Sequence, residues 1–368
     1  MKICFVHRHY PPVGGGGICT YIATLARGLV REGHTVHVIA RAESGADRVE
    51  DDHGVVVHRL APLSASPFWN RTWKVVGHGI RKVTGRFVNR LWASRRIGKK
   101  IEELNDHREI DLVESAEWEA ELLWYLRHSK DRVPTVIKLH GPMEIIREVN
   151  RMKKDRAFDC LAEWEKEQTL KADFVSSPSR HLAEEMARRW GLRLDRIEII
   201  PYPIDTDQFS PGANDLELDR PTVLYVGRLE KNKGTDVLFE AIPSVLESFP
   251  RARFRFIGSD TPTGEGGGSF QEQLFEGLPK DLHTSVQMVG AIPHDRLIDE
   301  YRQATLFVIP SLFDNFPNTC LEAMSCGSAI VGSDTGGIRE MLDGGKCGSL
   351  FPPGDSNRLA ECLIGLLQ

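Results

Sequence analysis

The chain opens on an apolar run, KICFVH (2–7), and a loop rich in proline and glycine, HRHYPPVGGGG (7–17). Ile18, Ile22, Leu25 and Leu29 then recur at helical spacing. Gly33 ends that helix and TVHVIA (35–40) begins a second strand, so the first forty residues predict a strand–helix–strand unit. The same plan restarts at TVLYVG (222–227), with RLEKNKG as the loop, TDVLFEAIPSVLESF as the helix and RFRFIG as the next strand. LFVIP (306–310), a helix running through Met324, and AIVGS (329–333) repeat it once more. Short, nearly continuous apolar strands alternating with helices predict an α/β protein whose parallel sheets are covered on both faces.

Two such series flank a proline-rich joint, IIPYPIDTDQFSPG (199–212). They predict two Rossmann-like domains, 1–203 and 204–368, facing across a deep inter-domain cleft. Open α/β sheets bind ligands beyond the carboxyl ends of their strands. Three unusual loops fall there: the glycine run 14–17, RLEKNK (228–233), and DNFPNTCLEAMSCG (314–327).

Composition narrows the class. With 368 residues, 41% hydrophobic and 27% charged, the chain suits a two-domain globular protein. The seven cysteines form no C-x-x-C pair, which argues against a disulfide framework or a zinc site and for reduced thiols in the cytoplasm. The amino-terminal apolar run is too short for a signal peptide and no stretch approaches a membrane span, so neither export nor bilayer insertion is expected. The net charge of −5 conceals a split: residues 1–200 carry 34 Lys+Arg against 28 Asp+Glu, and the remainder 13 against 24. From His53 to Ile101 there is no acidic residue and eleven are Arg or Lys. Trp69, Trp73, Phe87 and Trp92 lie among these cations. A basic segment with interleaved aromatics (68–101) suits an anionic membrane surface, or a solvated helix whose aromatics pack on the first domain. No nucleic-acid recognition module accompanies it.

Several residues carry candidate chemistry. Arg228 and Lys233 bracket a loop at a helix amino terminus, where two cations would hold a diphosphate. Gly14 to Gly17 permit close backbone approach to a phosphate or sugar, but lack the G-x-G-x-x-G spacing of a dinucleotide site, which leaves an NAD enzyme weakly supported. His140 ends another strand on the same edge. Asp205 and Asp207 spell D-x-D, read here as turn chemistry in the joint rather than a metal site. Asp314 and Glu322 lie eight positions apart, and Thr319 with Glu322 also reads as a helix capping box. The glycine-rich loop PTGEGGGSF (262–270) is expected to be mobile. No nucleophile elbow or metal-ligand cluster is present.

The stretch PSLFDNFPNTCLEAMSCGSAIVGSDTGGIRE (310–340) resembles the carboxyl-terminal signature of the retaining family 4 glycosyltransferases, whose hallmark Glu-x7-Glu is matched by Asp314 and Glu322. The resemblance runs in order through PPVGGGGICTYIATLARGL, KLHGP, IIPYPIDTDQF, YVGRLEKNKG and GAIPHDRLIDEYRQATLFVIPS. It implies the GT-B fold, with an acceptor-binding first domain and a nucleotide-sugar-binding second domain. It also implies a reaction: transfer of a sugar from a UDP- or GDP-linked donor to a saccharide hydroxyl, with retention and without a metal or other cofactor.

By that resemblance Glu322 would hydrogen-bond the ribose, and Asp314 would meet donor-sugar hydroxyls. The stretch Asn315, Phe316, Pro317, Asn318 and Thr319 would help through its backbone. Arg228 and Lys233, beside Gly227, would grip the diphosphate. Gly16 and Gly17 would line the cleft, His140 would face the transferred sugar, and the backbone around Gly290 and Ile292 would meet the base. The basic segment then suggests a lipid-linked acceptor at the inner membrane face, in cell-envelope or polysaccharide synthesis. The competing readings are a nucleotide-sugar epimerase of the same fold and a non-catalytic nucleotide-sugar-binding protein. Three features depart from the family pattern: Asp314 in place of Glu, Tyr202-Pro203 in place of Asn-Gly, and an end at Gln368 inside a late helix, which reads as a shortened chain.

Overall fold

A computed structural model describes residues 1–62, 78–149, 156–212 and 220–368, with the side chains of 78–87 excluded. The chain divides into two units, Met1–Pro203 and Ile204–Gln368. The first is built on β1 (Lys2–Val6), β2 (Thr35–Arg41), β3 (Arg48–Asp52), β4 (Val55–Leu60), β5 (Leu112–Ala116), β6 (Thr135–Lys138), β7 (Phe174–Ser177) and β8 (Ile197–Ile199). They form one sheet in the order β3-β4-β2-β1-β5-β6-β7-β8. The second holds β9 (Thr222–Val226), β10 (Arg253–Ile257), β11 (Val286–Gly290), β12 (Leu306–Ile309), β13 (Ala329–Ser333) and β14 (Ser349–Phe351), in the order β11-β10-β9-β12-β13-β14.

The continuous apolar runs became the central strands. Cys4, Val6, Val36 and Val38, like Leu224, Phe307 and Val331, have essentially no exposed surface, because helices cover both faces of each sheet. The expectation of purely parallel sheets holds for the second unit, and fails at one edge of the first. There β3, RVEDD, runs antiparallel to β4. Its charges keep that edge from pairing with another chain.

The described part of the basic segment belongs to a helix, His78–Asp106. Ile97, Ile101 and Leu104, at four and seven positions, are buried against Val113, Leu122 and Tyr125. This half of the helix is therefore a core element of the first unit. Trp69, Trp73 and the side chain of Phe87 lie outside the described residues. Among the described residues no helix is long and apolar enough to cross a membrane. The seven cysteines are free thiols.

One local expectation needs correction. The Thr319–Glu322 capping box does not form: the helix Asn318–Ser325 begins two residues earlier than that box requires, with Pro317 at the cap and no side-chain cap. Glu322 is instead drawn inward by its own partners, described below. The loop 262–270, expected to be mobile, contains local structure. A turn at Glu265–Gly267 is closed by the Gly264 N–H donating to Gly268 O (3.0 Å), and Ser269 caps a helix whose first residue, Phe270, is buried. At the joint, Asp205 Oδ1 accepts from the N–H of Asp207 and of Gln208, an Asx turn.

Candidate functional site

In the second unit the candidate residues gather at the carboxyl ends of β9 and β12. After β9 the chain turns through Arg228 and Lys233 into the helix Thr235–Ser248. Gly234 makes this turn, at φ +63°. A Cβ there would sit 1.9 Å from Pro310 O, so no other residue fits without moving the strand end. Lys233 Nζ reaches across to Asp314 Oδ2 at 2.6 Å, with both side chains still partly open to solvent. Arg228 is exposed, with Nη2 2.8 Å from Glu230 Oε1.

The Asp314 loop is held from behind by Thr335-Gly336-Gly337. The Gly337 N–H donates to Asp314 O (3.2 Å), and a Cβ on Gly336 or Gly337 would come within 1.8 Å of a loop carbonyl. Two helices start at this edge, Thr235–Ser248 and Asn318–Ser325, and neither has a side-chain cap. Ser179, Ser269 and Asp355 cap three other helices, while Gly17–Arg31, Leu123–His128, Leu297–Gln303 and Ile338–Met341 also start without a side-chain cap. Uncapped amino termini next to Lys233 and Arg228 form a setting for an anion.

Glu322, on the inner face of the Asn318–Ser325 helix, is 2% exposed. Its Oε2 accepts from the Tyr301 hydroxyl (2.7 Å), and its Oε1 lies 2.8 Å from His294 Nε2. The buried Tyr301 hydroxyl is pushed well above the usual phenol range, first by burial and then by this carboxylate. A carboxylate with two partners retains lone pairs for a further donor. Gly290 ends β11 at φ +80° and leads through the half-buried Ile292 to His294. Sequence reasoning missed His294 and Tyr301. Their spacing of seven within HDRLIDEY places both on one helical face, a signal that was available.

In the first unit the carboxyl ends of β1, β5 and β6 meet. Gly16 precedes the helix Gly17–Arg31 at φ +102°, with open space where a side chain would be. Gly14 packs on His9, whose ring carbon would lie 2.6 Å from an added Cβ. His140 follows β6. Its Nδ1 is 2.5 Å from the Tyr202 hydroxyl, and its N–H donates to both oxygens of Glu117 at 2.9 Å. Glu117 also accepts from the Gly141 N–H at 2.6 Å. Burial holds the His140 imidazole well below its ordinary value, so the ring is neutral. Burial raises Glu117 to about 7. Beside it Glu165, raised by burial to about 8, accepts from the N–H of Glu119 and of Met143. Lys138, also buried, is lowered by that burial to about 8, and its ammonium donates to Ile200 O.

Each half of the residue set is thus collected on the ligand-binding edge of its own sheet. Arg228, Lys233, Asp314 and Glu322 belong to the second unit, and Gly16, Gly17 and His140 to the first. Tyr202, the departure from the family pattern in the joint, is the residue that touches His140. Among the described residues no three His, Cys, Asp or Glu side chains are gathered so as to hold a metal.

Comparison with known proteins agrees with this architecture. Residues 15–208 match the family model "Glycosyltransferase Family 4", and residues 220–368 match "Glycosyl transferases group 1". D-inositol 3-phosphate glycosyltransferase 2 of Catenulispora acidiphila is 25% identical, over 98% of this chain and 84% of its own. The sucrose-phosphate synthase of Thermosynechococcus elongatus superimposes with a TM-score of 0.78 at 23% identity, over 99% of this chain and 89% of that one. Anabaena HepE in complex with UDP and glucose gives 0.68 at 18% identity, over 99% and 89%. The fold is therefore GT-B, of two Rossmann-like domains, and the chain belongs to glycosyltransferase family 4.

Proposed function

We propose that this enzyme transfers a sugar, with retention, from a nucleoside-diphosphate sugar held by the second unit to a hydroxyl of a saccharide acceptor held by the first. The observation that carries the reading is the Lys233–Asp314 contact at two uncapped helix starts. One cation and one carboxylate meet where a diphosphate and the sugar attached to it would lie side by side. Breaking the sugar–phosphate bond builds negative charge on the leaving diphosphate, which Lys233, Arg228 and the helix amino termini are placed to stabilise. Glu322, aligned by His294 and Tyr301, would take the ribose hydroxyls, and the backbone from Asn315 to Thr319 would take the sugar with Asp314. His140, neutral and set by Tyr202, would offer a hydrogen bond to the transferred sugar. Same-face attack, with the leaving phosphate accepting the acceptor's proton, needs no protein nucleophile and no metal.

A uridine donor finds support in the UDP bound by HepE. The test is a melting-temperature panel of UDP, GDP, ADP and NAD. A nucleotide at about 100 times its Kd adds about 2.7 kcal/mol, a shift of several degrees. One nucleoside diphosphate is expected to stabilise the enzyme, and Lys233→Ala to abolish the shift. Stabilisation by NAD alone, or by nothing, would overturn the reading.

A lipid-linked acceptor at an anionic membrane surface is the finer form of the proposal, and rests on the basic composition of 68–101. Failure of anionic liposomes to sediment the protein at low salt would remove it.

A further inference from the structure

Each cation on the ligand-facing edge of the second unit is matched by an acid of its own chain: Lys233 by Asp314, and Arg228 by Glu230. The two pairs are built differently. Lys233 donates a hydrogen bond to Asp314 at 2.6 Å. Glu230 Oε1 lies 2.8 Å from Arg228 Nη2, yet it is buried and makes no hydrogen bond, so the guanidinium stands out of line with it. The Arg228 side chain is 64% exposed and that of Glu230 10%.

An exposed arginine thus pairs with an acid that cannot follow it. Backbone contacts pin the acid on both sides. The Leu229 N–H donates to Ser259 O (2.9 Å), the Thr261 hydroxyl to Leu229 O (2.5 Å), and the Lys233 N–H to Glu230 O (3.0 Å). The neighbouring phenol is in no position to replace the guanidinium. Burial, and then Glu230 and Asp314, hold the Tyr225 hydroxyl well above the usual phenol range, but its proton is already donated to Arg228 O at 2.8 Å.

A diphosphate offers Arg228 oxygens that a guanidinium can take two at a time. Turning to them withdraws the guanidinium from Glu230 Oε1, and a buried carboxylate left without its cation is costly. That cost opposes capture of the diphosphate and favours its release. The misaligned contact confines the arginine little, so it contributes little ordering to offset the cost.

We propose that Glu230 is a positioning residue that competes with the diphosphate for Arg228, loosening the hold of the second unit on its nucleotide and speeding release of the spent diphosphate. This rests on the reading of the second unit as the donor-binding half.

The test is calorimetric titration of the full chain, wild type and Glu230→Gln, with UDP, GDP and ADP. The nucleotide that binds the wild type is expected to bind Glu230→Gln about three- to tenfold tighter. Its dissociation, followed by stopped flow, is expected to slow in proportion. A residue that served structure alone would weaken binding when replaced. The unliganded melting temperature checks the fold, and Glu230→Ala, which also removes the charge, is expected to tighten binding should the glutamine variant not fold. In an Arg228→Ala background there is no guanidinium to compete for, and Glu230→Gln is expected to change affinity by less than about twofold. Equal or weaker binding by the charge-free variants, or an undiminished gain in the Arg228→Ala background, would overturn the proposal and leave the donor reading standing. Failure of the wild type to bind any of the three nucleotides would bring down both.

Discussion

The two units present their ligand-facing edges in opposite ways. In the first, the side chains that shape the edge are buried and grip backbone: Glu117 holds the amides of His140 and Gly141, and Glu165 those of Glu119 and Met143. In the second, Lys233 and Asp314 meet through a solvent-accessible contact, and Arg228 extends into water. One edge is built into the fold, and the other is a set of partly exposed charges. Substitutions in the first should therefore register mainly as stability, and in the second mainly as turnover.

Glu117→Ala gives the largest expected effect. It leaves two buried amide donors without an acceptor, at about 1–3 kcal/mol each. A loss of about 2–6 kcal/mol in urea unfolding is expected, together with a loss of activity as the His140 backbone is released. An unchanged urea midpoint would break the comparison at its first term.

Lys233→Ala comes next, with the opposite signature. A partly exposed ion pair contributes about 0–1 kcal/mol to stability. A charge on the leaving group contributes roughly 2–4 kcal/mol to the transition state. Steady-state kinetics is expected to show kcat/KM falling by a factor on the order of 10² to 10³, with little change in the unfolding curve. A drop in stability matching the drop in turnover would make Lys233 a structural residue.

The pH dependence sharpens the contrast. Glu117 and Glu165 are raised by burial to about 7 and about 8, above the unfolded value of 4.5. Between those values the folded chain binds more protons than the unfolded one, so stability falls as pH rises through the window. His58, lowered by burial to about 4, works in the opposite direction, but only below about pH 6.5. His140, held well below its ordinary value, and Lys138, lowered to about 8, offset part of this; from pH 6.5 to 8 the urea midpoint should still fall, because the two carboxylates titrate inside the window. Glu165→Gln should flatten the slope. A flat wild-type profile would mean that the carboxylates are ionised and fully compensated by their amides.

The sequence revealed the second edge more readily than the first, for a physical reason. Arg228, Lys233 and Asp314 present their side chains from short loops, and Glu322 from the helix that follows one, and such loops are legible as charge beside glycine or proline. The strands were legible for a similar reason: a β-strand buried on both faces must be apolar throughout. Glu117 and Glu165 were not legible, because a buried carboxylate serving distant backbone amides looks like any acid among the many between 102 and 167. The capping box misled because Thr319-x-x-Glu322 fits the local pattern, while Tyr301 and His294, about twenty to thirty residues upstream, draw the Glu322 carboxylate away from the helix start. Tyr202 stood out as a departure from the family pattern, yet its contact with His140 depends on β6 and β8 lying in the same sheet.

The smallest expected effect concerns Asp314, where the family pattern has Glu. The shorter side chain already reaches Lys233 Nζ at 2.6 Å, and the loop carrying it is fixed by Gly336 and Gly337, which leave no room for it to retreat. A methylene added by Asp314→Glu must then extend toward the ligand space or displace Lys233. In the first case the sugar contact changes while the diphosphate contact remains, so the nucleotide Kd should hold and kcat/KM should move by less than about tenfold, roughly 1.4 kcal/mol. In the second case nucleotide affinity itself would fall. Titration with the nucleoside diphosphate, with and without its sugar, separates the two. An effect confined to the sugar nucleotide would assign Asp314 to the sugar, and a loss shared by both would assign it to the alignment of Lys233.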